Sequence, residues 1–245
     1  MLYLIGLGIW DEKDISLKGL EACKKADKIY AEFYTAKRGG SLQNLEKIIG
    51  KKIEILKRKD MEEDSEKILN ESEKKNVVVL VPGDPLAATT HIHLISEAKK
   101  LGIPFQIIHS SSIFTAIGET GLSLYNFGRV VTLVKWNEKQ KPTSFYEYIW
   151  KNKKTGLHSL ILLDIDMDIS EGLKLLLESE KNIKKALFKP ETKVVAASKL
   201  GSSGQKIIYG SVEKLVSLNL EAPGVIILPG KLQFFEEEFL ETLKI

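Results

Sequence analysis

The run Val77-Val-Val-Leu-Val81 constrains this chain more than any other segment. Five apolar residues, four of them β-branched, are too few for a core helix and offer no polar face to water. Such a strand needs cover on both sides, as a central strand of a parallel sheet has. It stops at Pro82-Gly83-Asp84-Pro85, where two prolines and a glycine end the strand and force a turn. Ligands of open α/β sheets bind beyond the carboxyl ends of such strands, so this loop is the first place to look for a site.

The rest of the chain alternates strand-length apolar runs with helical periodicity, which predicts βα units and the α/β fold class. In the first half, strands are predicted at 2–6, 28–34, 53–56, 77–81 and 105–109. Ser16 and Ser41 have the chemistry of helix N-caps, for helices at 17–26 and from 42. A charged, exposed helix is predicted at 62–75, and another helix at 89–101 with Gly102 closing it. The second half continues with strands at 130–134, 159–165, 194–197, 206–209 and 225–228. Helices are predicted at 143–153, at 170–185, after Ser211 and at 234–243. The serines at 110–112 end one sheet and Arg129 opens another, so two domains are predicted, 1–114 and 115–245.

Composition narrows the function classes. Hydrophobic residues are 43% and charged residues 28% of 245, the profile of a soluble globular protein. No apolar run approaches the roughly 20 residues a membrane span needs. The first ten residues lack the basic start and cleavage site of a secretory signal, so a cytoplasmic protein is expected. Cys23 is the single cysteine, which rules out an intrachain disulfide and a thiolate metal cluster. The net charge of +3 comes almost wholly from lysine, with arginine only at 38, 58 and 129. Phosphate and nucleic-acid recognition leans on the guanidinium fork, so no nucleic-acid partner is expected.

Several motifs carry competing readings. Gly6-Leu7-Gly8 follows a strand, and Glu32 lies where a ribose-binding acid would stand in a dinucleotide fold. Asp11 occupies the third glycine position, however, and an acid there would repel a pyrophosphate. Asp84 either accepts hydrogen bonds from a ligand or closes its own turn on the backbone. Ser110, Ser111 and Ser112 end the next strand on the same edge as Asp84, as a polar pocket or as a helix cap. His91 and His93 fall in a predicted helix and point apart, with no partner at metal-site spacing, so no metal is expected. Asp164 and Asp166 at a strand mouth read as solvated acids or capping groups.

The strings GLGIWDEKDISLKGLE, AEFYT, VPGDPLAATTH, SSSIFTAIGETGL, LLDID and PGVIILPGKL, in that order, resemble the diphthine synthases. These are a branch of the tetrapyrrole-methylase-like class of methyltransferases, and the likeness runs from residue 1 to about 240. The resemblance implies two α/β domains, a mostly parallel N-terminal sheet and a mixed C-terminal sheet, with S-adenosyl-L-methionine in the interdomain cleft. It implies a homodimer that methylates the amino group of a modified histidine on translation elongation factor 2. Carried over by position, the cofactor contacts are Ile9, Asp84, Ala87, Ser112, Ile113, Leu163, Leu200 and Gly224. No catalytic base is assigned. Gly224 stands where the family often has histidine, and so does Gln233. The chain ends soon after Leu243, where relatives commonly add a strand. A trimethylated product would suit aromatic faces, and Trp10, Phe33, Tyr34 and Tyr125 are candidates.

Overall fold

A computed structural model describes residues 1–245. The chain divides into two compact units, Met1–Ala116 and Ile117–Ile245. The first holds a five-stranded sheet of β1 (Leu2–Gly6), β2 (Lys28–Glu32), β3 (Glu54–Leu56), β4 (Val77–Val81) and β5 (Phe105–Ile108). Their order is β3-β2-β4-β1-β5 and every pairing is parallel. All five residues of β4 are buried, because alternate side chains enter two separate cores on the two faces. Val77, Val79 and Val81 pack with Leu2, Leu4 and Tyr30 on one face. Val78 and Leu80 pack with Ile5, Ile29 and Ala31 on the other.

Helices α1 (Leu17–Lys25) and α2 (Leu42–Ile49) begin as the sequence predicts. The Ser16 hydroxyl accepts from Gly19 N–H at 3.1 Å and the Ser41 hydroxyl from Asn44 N–H at 3.1 Å, each relieving a first-turn donor. Gly50 ends α2 in the left-handed conformation, at φ 78°.

The single charged helix expected at 62–75 is instead two, α3 (Arg58–Glu62) and α4 (Glu66–Lys74). Asp60 accepts from Lys57 N–H at 2.7 Å and starts the first of them. The second is not solvated all round, since Ile68, Leu69 and Ser72 are buried. The helix expected at 89–101 starts late, as α5 (Ile92–Lys100), because Thr89 turns the chain by accepting from His91 N–H at 3.1 Å. The short α6 (Ile113–Ala116) follows β5.

Cys23 of α1 is fully buried, and burial pushes its thiol up to about 12. Thiol reagents react through the thiolate. Ellman's reagent should therefore leave the native protein untouched at pH 8 and titrate one thiol per chain in denaturant; rapid native labelling would contradict this packing.

The second unit has β6 (Val131–Leu133), α7 (Ser144–Lys154), β7 (Ser159–Leu163), α8 (Ile169–Ile183), β8 (Lys193–Ser198), β9 (Lys206–Ser211), α9 (Val212–Val216), β10 (Gly224–Leu228) and α10 (Phe234–Thr242). The sheet order is β6-β7-β10-β8-β9. β6 and β7 are parallel, whereas β10 is antiparallel to β7 and β8, and β8 to β9. Beyond α10 the chain end lies along β9: Tyr209 N–H donates to Leu243 at 2.9 Å and Ile245 N–H to Tyr209 at 3.1 Å.

A buried polar hub sits at the start of α10. Glu236 Oε1 accepts from Ser123 N–H at 2.8 Å and His158 Nε2 at 3.2 Å, and Oε2 accepts from Gln233 N–H at 2.8 Å. His158 Nδ1 in turn accepts from Gly230 N–H at 2.9 Å. That bond leaves the ring proton on Nε2, facing the carboxylate. Gln233 is thus the residue at which α10 begins, its N–H capped by the carboxylate three residues on. No helix is long and apolar enough to cross a membrane.

Candidate active site

The loops after β1, β4 and β5 are tied together at the carboxyl edge of the first sheet. Gly8 N–H donates to Gly83 at 3.1 Å and Gly83 N–H to Gly8 at 2.9 Å, so the turns after β1 and β4 form a bridge. Both glycines have positive φ, 86° and 68°. A side chain at Gly8 would meet Asp14 Cβ at 2.2 Å. The Asp14 carboxylate accepts from Trp10 N–H at 2.7 Å and Asp11 N–H at 3.1 Å, while Asp11 accepts from Lys13 N–H at 2.8 Å. In a dinucleotide fold the N–H groups of this loop would be the phosphate donors. Here they donate instead to the chain's own carboxylates.

Glu32 likewise does not present itself to a ribose. Its side chain is fully buried and accepts from the Thr35 hydroxyl at 2.6 Å and Thr35 N–H at 3.2 Å. The dinucleotide reading therefore fails on both its anchors.

Asp84 closes its own turn and also reaches a second loop. Oδ1 accepts from Leu86 N–H at 3.0 Å, closing the turn. Oδ2 accepts from Ser110 N–H at 3.2 Å and from His109 Nδ1 at 2.8 Å, reaching across to the loop after β5. A carboxylate has about four acceptor positions, so three bonds leave room for a ligand donor. The Ala87 N–H donates to Asp84 O at 3.2 Å, which places Ala87 one step along the same turn.

The three serines divide their work. The Ser110 hydroxyl donates to Asp14 O at 3.1 Å, locking the β5 loop to the β1 loop. Ser112 opens α6, its carbonyl accepting from Ala116 N–H at 2.9 Å, and Ile113 is the first residue of that helix. Ile9, half-buried, lies on the β1 loop. Thus Ile9, Asp84, Ala87 and Ser112 lie on loops of one sheet edge, and Ile113 opens the helix that follows one of them.

The other three expected contacts share an edge of the second sheet. Leu163 ends β7, Leu200 follows β8, and Gly224 begins the antiparallel β10, paired with Ser198. A side chain on Gly224 would meet Ile169 at 2.9 Å and Ala197 O at 3.2 Å, so a larger residue there needs Ile169 to shift. Asp164, next to Leu163, accepts from Lys135 N–H at 3.2 Å and Ile165 N–H at 3.0 Å, holding the loop after β7, while Asp168 caps α8.

Of the four aromatics, Trp10 lies against Gly39, where an added Cβ would fall 2.1 Å from the indole. Phe33 and Tyr34 already face cations, with Arg38 at 5.0 Å and Arg58 at 5.4 Å from the ring centres. Tyr125 is 97% exposed.

His91 is the residue just before α5. It is buried, its Nδ1 bonds to the Thr89 hydroxyl, and its Nε2 lies 3.6 Å from Glu32 Oε1 with no hydrogen bond of its own. The signal was available only to a reader who knew that β2 and β4 are neighbours.

With this geometry in hand, comparison with known proteins is decisive. The family model of the tetrapyrrole (corrin/porphyrin) methylases matches residues 1–216. The diphthine synthase of Methanocaldococcus jannaschii is 44% identical over 99% of this chain and 98% of its own length. The chain belongs to the diphthine synthase family. The diphthine methyl ester synthase of Dictyostelium discoideum is 38% identical over the whole chain and 98% of its own length. A crystal structure of diphthine synthase superposes with a TM-score of 0.90 at 34% identity, over 99% of this chain and 95% of that one. A member of this family is a methyltransferase, and its two sheets, one parallel and one mixed, are the family's.

Proposed function

We propose that this chain transfers methyl groups from S-adenosyl-L-methionine to the amino group of the amino-carboxypropyl-modified histidine of translation elongation factor 2, as a step of diphthamide biosynthesis. It does so as a cytoplasmic homodimer. The observation that carries this reading is identity of 44% spread over the full length of a diphthine synthase. The domain reading stays close to 1–114 and 115–245, with the cofactor contacts drawn from both.

The residues fit the cofactor chemically. Asp84 keeps acceptor capacity for ribose hydroxyls or an ammonium group, and the half-buried Ile9 supplies apolar surface suited to adenine. Gly224 contributes backbone alone, where histidine is frequent in the family. When bound, the cofactor supplies an electrophilic methyl on a sulfonium.

The protein's task is then alignment of nitrogen, carbon and sulfur in line, which calls for rigid loops and no strong acid. The linked turns at Gly8, Gly83, Asp84 and Ser110 are that kind of support. The attacking amine must be neutral, and its proton leaves to solvent or to an acceptor such as Asp84.

Intact mass of elongation factor 2 bearing the amino-carboxypropyl histidine, measured after incubation with the cofactor, tests the reading. Mass rising in methyl steps supports it; a bound cofactor with no mass change refutes it. The Dictyostelium relative's name favours a second reading, in which the substrate carboxylate also takes a methyl. Three added methyls that survive mild alkali fit the amine alone, and a fourth that alkali removes fits the ester. Trp10→Ala should lower the fraction of fully methylated product more than that of the first product, since a quaternary ammonium depends on aromatic faces. Unchanged product proportions would remove Trp10 from that role.

A further inference from the structure

Glu32 ends β2 and His91 ends the loop that follows the neighbouring strand β4. Both side chains are almost wholly withdrawn from solvent, at 0% and 3% exposure, and Nε2 lies 3.6 Å from Oε1. Each is held from behind by a threonine. Thr35 donates to both Glu32 oxygens, through its hydroxyl at 2.6 Å and its N–H at 3.2 Å. The Thr89 hydroxyl accepts from His91 N–H at 3.1 Å and bonds to Nδ1. The Glu32 carboxylate facing Nε2 favours the tautomer with the ring proton there, and the Thr89 hydroxyl then has its proton to give to Nδ1.

Burial pushes His91 down to about 4, so the ring is neutral at physiological pH, and burial also raises Glu32. Nε2 is one of very few buried polar atoms in the protein with no hydrogen-bond partner. A buried donor left without a partner is destabilising, and a small approach of the loop would complete its bond to Glu32. Between the two ends of this loop lie Asp84 and Ala87, and Ala88 adopts a left-handed φ of 56° that alanine disfavours. The loop thus carries a strained residue, and at its far end the buried pair stands one short approach from a hydrogen bond to β2.

We propose that Glu32 and His91 are a positioning pair that latches the 82–91 loop to the end of β2 in the shape that grips the cofactor. The proposal rests on the cofactor reading above. Neither residue touches the reacting atoms; both act through Asp84 and Ala87.

The test is calorimetric titration of the intact protein with S-adenosyl-L-homocysteine. Glu32→Gln and His91→Asn should each raise Kd at least tenfold while the stoichiometry stays that of wild type. The double variant should be no more than about twofold worse than the worse single one, since each change removes the same contact. In turnover, the KM for the cofactor should rise while kcat and the KM for the protein substrate hold. Unchanged Kd overturns the proposal. So does a fallen stoichiometry with unchanged Kd, which would make the pair a plain folding contact. Wild-type protein that binds none of the probe would sink the cofactor reading itself, and the pair's role with it, before any variant is compared.

Discussion

Replacing Glu236 by alanine should lower the midpoint of thermal unfolding of the second unit by about 10 °C. The side chain is fully buried and collects donors from Ser123, Gln233 and His158. Removing one member of such a set strands the others, at about 3–5 kcal/mol. For a protein of this size each kcal/mol shifts the midpoint by roughly 2–4 °C. Glu236→Gln keeps one acceptor oxygen and should fall between alanine and wild type.

The same carboxylate has a pH signature. Burial works to raise its pKa, but the donors at Gln233, Ser123 and His158 outweigh burial and hold it below the usual carboxylate range. A depressed folded value stabilises above the unfolded value of about 4.3 and is lost as pH falls through the folded one. Calorimetric scans from pH 7 to pH 3 should therefore show the gap between wild type and Glu236→Gln closing at the acid end. A gap that stays constant would mean the carboxylate is not ionised in the fold.

Asp84→Ala should weaken binding of S-adenosyl-L-methionine by about 100-fold. The carboxylate joins the turn after β4, through Leu86, to the loop after β5, through His109 and Ser110. Hydrogen bonds to a charged group contribute about 1.5–3 kcal/mol each, and 1.4 kcal/mol is tenfold in affinity. Loss of the ligand contact together with the cross-loop tie sets the larger figure. Asp84→Asn retains an acceptor for Leu86 N–H but turns an amide toward Ser110 N–H, so a loss of about tenfold is expected. Affinity of Asp84→Ala within threefold of wild type, by titration calorimetry, would reduce Asp84 to a turn-closing residue.

The fold was legible where local chemistry and burial agree. The buried run at 77–81 is the central strand, and Ser16 and Ser41 cap helices as their side chains suggest. It was not legible at 58–75, because two short charged helices have no long apolar stripe and their break follows from how Ile68 and Leu69 pack. The turn at Asp84 could be found from Pro82, Gly83 and Pro85, since such punctuation ends a buried strand, but the same pattern suits a turn-closing acid as well as a ligand acceptor. Its partners His109 and Ser110 needed the parallel order of β4, β1 and β5. The Glu32–His91 contact needed the adjacency of β2 and β4, which no spacing in the sequence encodes. Asp11 argues against a phosphate by its charge alone, but the carboxylate that accepts the loop's N–H groups is Asp14, three positions on. Pairings across strands are a property of topology, and residue patterns report only the strands themselves.

The most direct test of the central claim is transfer of isotopically labelled methyl from S-adenosyl-L-methionine to two forms of elongation factor 2, one with the amino-carboxypropyl group on its histidine and one with that histidine unmodified. The account predicts label on the peptide carrying the modified histidine and none on the unmodified form. Label on both forms alike, or on neither while the cofactor is bound, would contradict it.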